Sequence, residues 1–108
     1  MQEIKAIIRT DRLQDVIQAL HALVHMPGVT VSTVRGFGRR ASGTGPDVYD
    51  ETDFTKLETV VDDESVPTVI DAIARHARTG GPGDGKICVM PVLQAIRIRD
   101  YPTGRDDR

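Results

Sequence analysis

Residues 3–35, EIKAIIRTDRLQDVIQALHALVHMPGVTVSTVR, change hydrophobic period twice, and that change decides the fold. Ile4, Ala6 and Ile8 recur at every second position, which predicts a strand over Glu3 to Arg9 with one buried face. Asp11 is placed to cap the next element. Leu13, Val16, Ile17, Leu20 and Val24 then recur at helical spacing, so an amphipathic helix is expected from Arg12 to about His25. Met26-Pro27-Gly28 ends it, and the β-branched run Val29 to Arg35 predicts a second strand.

The second half repeats the pattern after an interruption. GFGRRASGTGPDVYDETDFT, residues 36–55, holds four Gly, one Pro and four acids, and reads as a long mobile loop of the kind that carries function. Lys56 to Val61 predicts a third strand. Ser65 is placed to cap a second helix, with Pro67 in its first turn and Ile70, Ile73, Ala74 and Ala77 as its buried stripe. Asp62, Asp63 and Glu64 favour that helix's positive N-terminus, Arg75, His76 and Arg78 its C-terminal end, and Thr79-Gly80-Gly81 stops it. Lys86 to Val92, KICVMPV, is apolar nearly throughout, which predicts a strand at the centre of the sheet. Ala95 to Arg99 reads as a short fifth strand and Tyr101 to Arg108 as a polar tail.

The order implies an α+β fold, ferredoxin-like βαββαβ, an antiparallel sheet with two helices on one face. The other face is bare. Apolar surface left in water costs about 25 cal/mol per Å², so a homo-oligomer is expected.

With 108 residues, 39% hydrophobic and 28% charged, the chain reads as one folded domain over 1–108. No apolar run approaches the ~20 residues of a membrane span, and Glu3, Lys5 and Arg9 charge the first ten positions, so neither signal peptide nor anchor is expected. One cysteine, Cys88, supports neither an internal disulfide nor a cysteine metal site, which points to the reducing cytoplasm. A net charge of −2, two Tyr, two Phe and no Trp argue against nucleic acid as a partner. Yet the 14 basic residues are eleven Arg to three Lys, with groups at Arg35, Arg39 and Arg40 and at Arg97 and Arg99. Arginine grips phosphate and carboxylate in bidentate fashion, so a small polyanion is the better candidate.

Gly80-Gly81-Pro82-Gly83-Asp84-Gly85-Lys86 matches the glycine and lysine spacing of a phosphate loop. Ile87 stands where the metal-binding Ser or Thr belongs, and a strand comes next where that motif needs a helix, so a P-loop NTPase is not the reading. Glycines still allow backbone N–H groups to turn toward an anion, with Lys86 adding charge. Local sequence leaves this and a plain helix-to-strand turn equally open. Arg35-Gly36-Phe37-Gly38-Arg39-Arg40 combines glycines that admit close approach with arginines that could clamp phosphate, against the plainer reading of a solvated basic loop root.

RGFGR, TGGPGDGKI and AIRIR, in this order and after EIKAIIR, resemble the PII signal-transduction proteins over nearly the whole chain. The resemblance implies a homotrimer with adenine-nucleotide sites for ADP, AMP or ATP in the clefts between neighbours. It makes 37–55 the partner-binding T-loop, 80–86 the phosphate-cradling B-loop and 97–108 the C-terminal segment. Carried over residue by residue, Ile7, Thr30 and Val60 line the adenine side. Gly36, Phe37, Gly38 and Arg39 form the T-loop base, and Gly83, Asp84, Gly85 and Lys86 cradle phosphate. Arg97 and Arg99 reach in from the adjacent subunit.

The chain departs from nitrogen-regulatory PII proteins at the second ligand. Arg40 stands in place of the glutamine that helps hold Mg²⁺ and 2-oxoglutarate, and Phe54 in place of a lysine. 2-Oxoglutarate is therefore doubtful. A shortened T-loop suits the carboxysome-associated branch, in which bicarbonate accompanies ADP or AMP, and Arg40 is the small-anion candidate. That branch implies a bicarbonate transporter or other membrane protein as the regulated partner. Tyr49 lies outside any uridylylation motif and reads as a partner contact. His21 and His25 supply too few ligands for a metal and read as a solvated helix flank, with His76 as a helix-end cation and Cys88 as a buried small hydrophobe. No nucleophile, base and orienting acid stand together, so the chain reads as a regulator and not an enzyme. A nucleotide phosphate-hydrolysing enzyme and a purely structural assembly module are the alternatives.

Overall fold

A computed structural model of the chain describes residues 1–39 and 49–102. Its order is β1 (Gln2–Arg9), α1 (Leu13–His21), β2 (Thr30–Arg39), β3 (Tyr49–Val61), α2 (Val66–Ala77) and β4 (Gly85–Pro91), with short 3₁₀ turns at Thr10–Arg12, Asp63–Ser65 and Ile98–Asp100. The four strands form one sheet in the order β2-β3-β1-β4, every neighbouring pair antiparallel. This is the ferredoxin-like α+β fold.

The period of two in β1 becomes two unlike faces. Ile4, Ala6 and Ile8 are buried with Leu57 and Val61 of β3 beneath Val16 and Leu20 of α1 and Val69, Ala72, Ile73 and Ala77 of α2. Burying each large aliphatic side chain contributes about 1.5–3 kcal/mol. Two threonines share this face with their hydroxyls satisfied, as buried polar groups require. Thr55 donates to Thr10 Oγ1 at 3.1 Å, and Thr59 donates to the Gly28 carbonyl at 3.0 Å. On the other face the ladders set Thr30, Glu58, Lys5 and Cys88 in one row and Ser32, Lys56, Ile7 and Lys86 in the next.

Several expectations are corrected. β4 is an edge strand: β1 is central although it alternates, because helices cover one face of the sheet only. The apolar run in β4 leaves Val89 exposed. Residues 36–55 are not loop throughout, since Gly36 to Arg39 pair with Tyr49 to Thr52 and extend the β2–β3 ladder as a ribbon. Positions 40–48, Arg40 among them, lie outside the described residues, as does 103–108. Ala95–Arg99 is not a strand: Ile98 to Asp100 form a 3₁₀ turn, and Leu93 and Ile98 are almost fully exposed. Cys88 is only half-buried. α1 stops at His21, so His25, at φ 61°, is not on the helix.

Neither Asp11 nor Ser65 makes a side-chain capping bond. A 3₁₀ turn precedes each helix and presents Arg12 and Ser65, both in helical geometry, at the cap positions. Asp63 accepts instead from the Met1 ammonium at 2.6 Å, which lowers its pKa and fastens the start of β1 to the entry of α2.

Gly85 begins β4 at φ 101°, and a Cβ there would lie 1.7 Å from the Ile7 carbonyl oxygen. Backbone cannot yield as a side chain can. Gly85→Ala is expected to cost about 3 kcal/mol or more in urea unfolding, whereas Gly28→Ala, with nothing within 4 Å of the added carbon, should cause no loss.

Candidate functional site

The chain leaves α2 at Arg78 in extended geometry, and the glycine-rich segment then returns it to the sheet. Gly80, Gly83 and Gly85 all have positive φ, at 88°, 83° and 101°, which a side chain would strain. Asp84 organises the turn. Its Oδ2 accepts from the amides of Thr79 at 2.9 Å and Gly80 at 3.1 Å, and its Oδ1 accepts from the Thr79 hydroxyl and from Arg9 Nε at 3.3 Å. Thr79 Oγ1 in turn accepts from the Gly81 amide at 3.2 Å, and Arg9 Nη2 donates to the Pro82 carbonyl at 2.7 Å. These bonds favour the charged carboxylate, with the Thr79 hydroxyl the largest cause, and hold the Asp84 pKa down at about 2.

The loop ends beside residues that the sequence singles out. Lys86 is opposite Ile7, one row from the Phe54 and Arg9 pair, and is exposed without an ion pair among the described residues. Gly36, opposite Thr52, lies on the same sheet face as Ile7 and Lys86. A Cβ on Gly36 would meet Phe54 Cε2 at 2.8 Å, so the ring lies against the glycine backbone at the root of the ribbon. Phe37 is exposed, and Arg39 is paired by its backbone with Tyr49.

Of the other candidates, Thr30 lies one row from Ile7 and Lys86 on the same face, and Val60 one row further. Thr30 and Val60 line a shallow depression of about 400 Å³ with Glu3, Pro27, Gly28 and Glu58. Val60 pairs with Glu3 and Lys86 with Ile7, four positions apart along β1, or about 13 Å of strand. Val60 also borders a cavity of about 650 Å³ shared with His25, Glu64, Ser65 and Arg97. Arg99 stands in the exposed 3₁₀ turn, 3.8 Å from Asp100. Within one subunit the candidate residues line separate depressions and not one pocket.

Sequence reasoning missed Arg9 and Thr79. The available signal was Asp84 itself, a carboxylate among glycines whose turn amides need an acceptor. Among the described residues no group of three or more His, Cys, Asp or Glu could hold a metal ion, and no helix is long and apolar enough to cross a membrane.

A ferredoxin-like sheet with a glycine loop and a projecting ribbon at one end defines the structural class. The family model described as nitrogen regulatory protein P-II matches residues 1–101. The chain is 44% identical over 111 aligned positions to nitrogen regulatory protein P-II 1 of Methanothermobacter thermautotrophicus, covering 98% of this chain and 96% of that protein. It is 42% identical to P-II 2 of the same organism, covering 97% and 95%. With P-II 1 of Escherichia coli the identity is 43%, covering 99% and 96%. The chain belongs to the P-II family of signal-transduction proteins.

The Asp84 carboxylate is stabilised only when charged, so its contribution to stability is complete above its ordinary pKa of 3.8 and is lost as pH falls through about 2. Asp84→Asn should therefore be less stable than wild type at pH 7, and the gap should close between about pH 4 and pH 2 in denaturant titrations.

Proposed function

We propose that this protein is a homotrimeric regulator of the cytoplasm that binds ADP, AMP or ATP between subunits and signals occupancy to a partner protein through residues 37–55. The observation that carries the reading is the separation of the candidate residues within one subunit, with the Val60 row about 13 Å along β1 from that of Lys86 and no single pocket lined by both. Placed edge to edge in a closed ring, each subunit's Ile7, Gly36, Arg39 and Gly83 to Lys86 would meet its neighbour's Thr30, Val60, Arg97 and Arg99. The exposed Leu93 and Ile98 support a partner of the same chain, since apolar side chains left in water favour association. Nucleotide would act by ordering the loop whose root carries Arg39, limited by its differential affinity for the two loop states.

For the second ligand, the Phe54 ring against Gly36 sets an apolar group where a lysine would pair with a carboxylate of 2-oxoglutarate. This favours a smaller anion, bicarbonate with Arg40 as its candidate partner, and a partner in inorganic carbon uptake such as a bicarbonate transporter. The similarity to nitrogen regulatory proteins supports 2-oxoglutarate equally, so both belong in the test.

A thermal-shift series with ADP, AMP and ATP, each with and without bicarbonate or 2-oxoglutarate, reads both ligands, because one that binds only the native state raises Tm. Nucleotide should raise Tm, and native mass should be that of a trimer. Arg99→Ala should weaken ADP roughly 10 to 100-fold by calorimetry, the worth of one charge-assisted hydrogen bond. A monomer indifferent to all three nucleotides would sink the proposal.

A further inference from the structure

We infer that Asp84, held by Thr79 and Arg9, is a positioning residue that shapes the glycine loop for phosphate from inside the protein and does not itself touch the nucleotide; the inference rests on the nucleotide reading above.

The geometry of the carboxylate carries this. Both oxygens face the loop's own backbone and Arg9: Oδ2 receives the Thr79 and Gly80 amides, Oδ1 the Thr79 hydroxyl and Arg9 Nε. A carboxylate aimed at a polyphosphate would add like charge at the place where charge matters most. Turned inward, it does the reverse. It fixes Thr79 and Gly80 directly, and Gly81 through Thr79 Oγ1. Arg9 neutralises it and also holds the Pro82 carbonyl from β1.

The Gly83 amide then extends from an already anchored turn and donates to no other group in the described residues' hydrogen bonds. A segment with four glycines is costly to order, because glycine has the most backbone freedom to lose. Ordering it before the ligand arrives removes that cost from binding. Arg9 is placed to serve because it is the last residue of β1, and β1 pairs with the strand that the loop opens into.

The two roles for Asp84 predict opposite signs. Calorimetry with ADP would compare the full-length wild type with Asp84→Asn, Thr79→Val and Thr79→Ser, beside ligand-free amide hydrogen exchange at Thr79 and Gly80. Asparagine keeps the shape but loses one acceptor oxygen; valine removes the Thr79 hydroxyl and serine restores it. The expected result is roughly 5 to 30-fold weaker ADP for Asp84→Asn and Thr79→Val, near wild-type affinity for Thr79→Ser, and faster exchange at Gly80 in Asp84→Asn. A carboxylate that faced the phosphates would give Asp84→Asn tighter ADP, and either tighter or unchanged affinity overturns the inference. A wild-type chain that takes no ADP overturns the nucleotide reading by itself, whereas unaltered exchange in Asp84→Asn overturns the positioning role whichever ligand is bound.

Discussion

The packing of β1 between β3 and β4 is the constraint on which the rest depends. Its even-numbered residues Ile4, Ala6 and Ile8 are buried under both helices, and a one-residue slip would place Lys5 and Arg9 there instead. That penalty fixes the register, which in turn fixes where β1 ends. Arg9 closes the strand beside the glycine loop, and Gly85 opens β4 against the Ile7 carbonyl. Core packing and loop placement are thus one constraint seen at two points of the same strand.

Element order was legible because period is local: β1, α1, β2, β3, α2 and β4 each announce themselves within a few residues. What failed was relational. The apolar run 86–92 predicted a central strand, but centrality is set by pairing and burial by what covers each face, and here the helices cover only one. The ribbon at Gly36 to Arg39 and Tyr49 to Thr52 escaped notice because glycines and acids look like loop. Antiparallel pairing already established from Thr30 to Val34 carries past such residues once Phe54 can lie against a glycine. The missing caps at Asp11 and Ser65 have the same origin, since a 3₁₀ turn before each helix displaces the cap by geometry no single residue reveals.

The candidate residues stand out in the sequence by type, and their places do not. Glycines, Lys86 and the arginine pairs carry a residue chemistry suited to anions whatever their positions. Their separation along β1 could not be read from spacing, because it depends on which strands are neighbours. The partnership of Asp84 with Thr79, five positions away, was close enough to be inferred, but glycines dominate the pattern around the acid and drew the reading to the phosphate cradle alone.

The net charge of −2 and the expectation of an anionic ligand look opposed only if charge is averaged over the chain. Screening confines electrostatic influence to about 8–10 Å at physiological salt, so local arrangement decides. Asp62, Asp63 and Glu64 sit at the entry of α2, where Asp63 is neutralised by the chain's own ammonium. At the glycine-loop end, Asp84 is neutralised by Arg9, which leaves Lys86 beside a turn of fixed amides. The carboxylate within the glycine loop is thus committed to the loop's own structure.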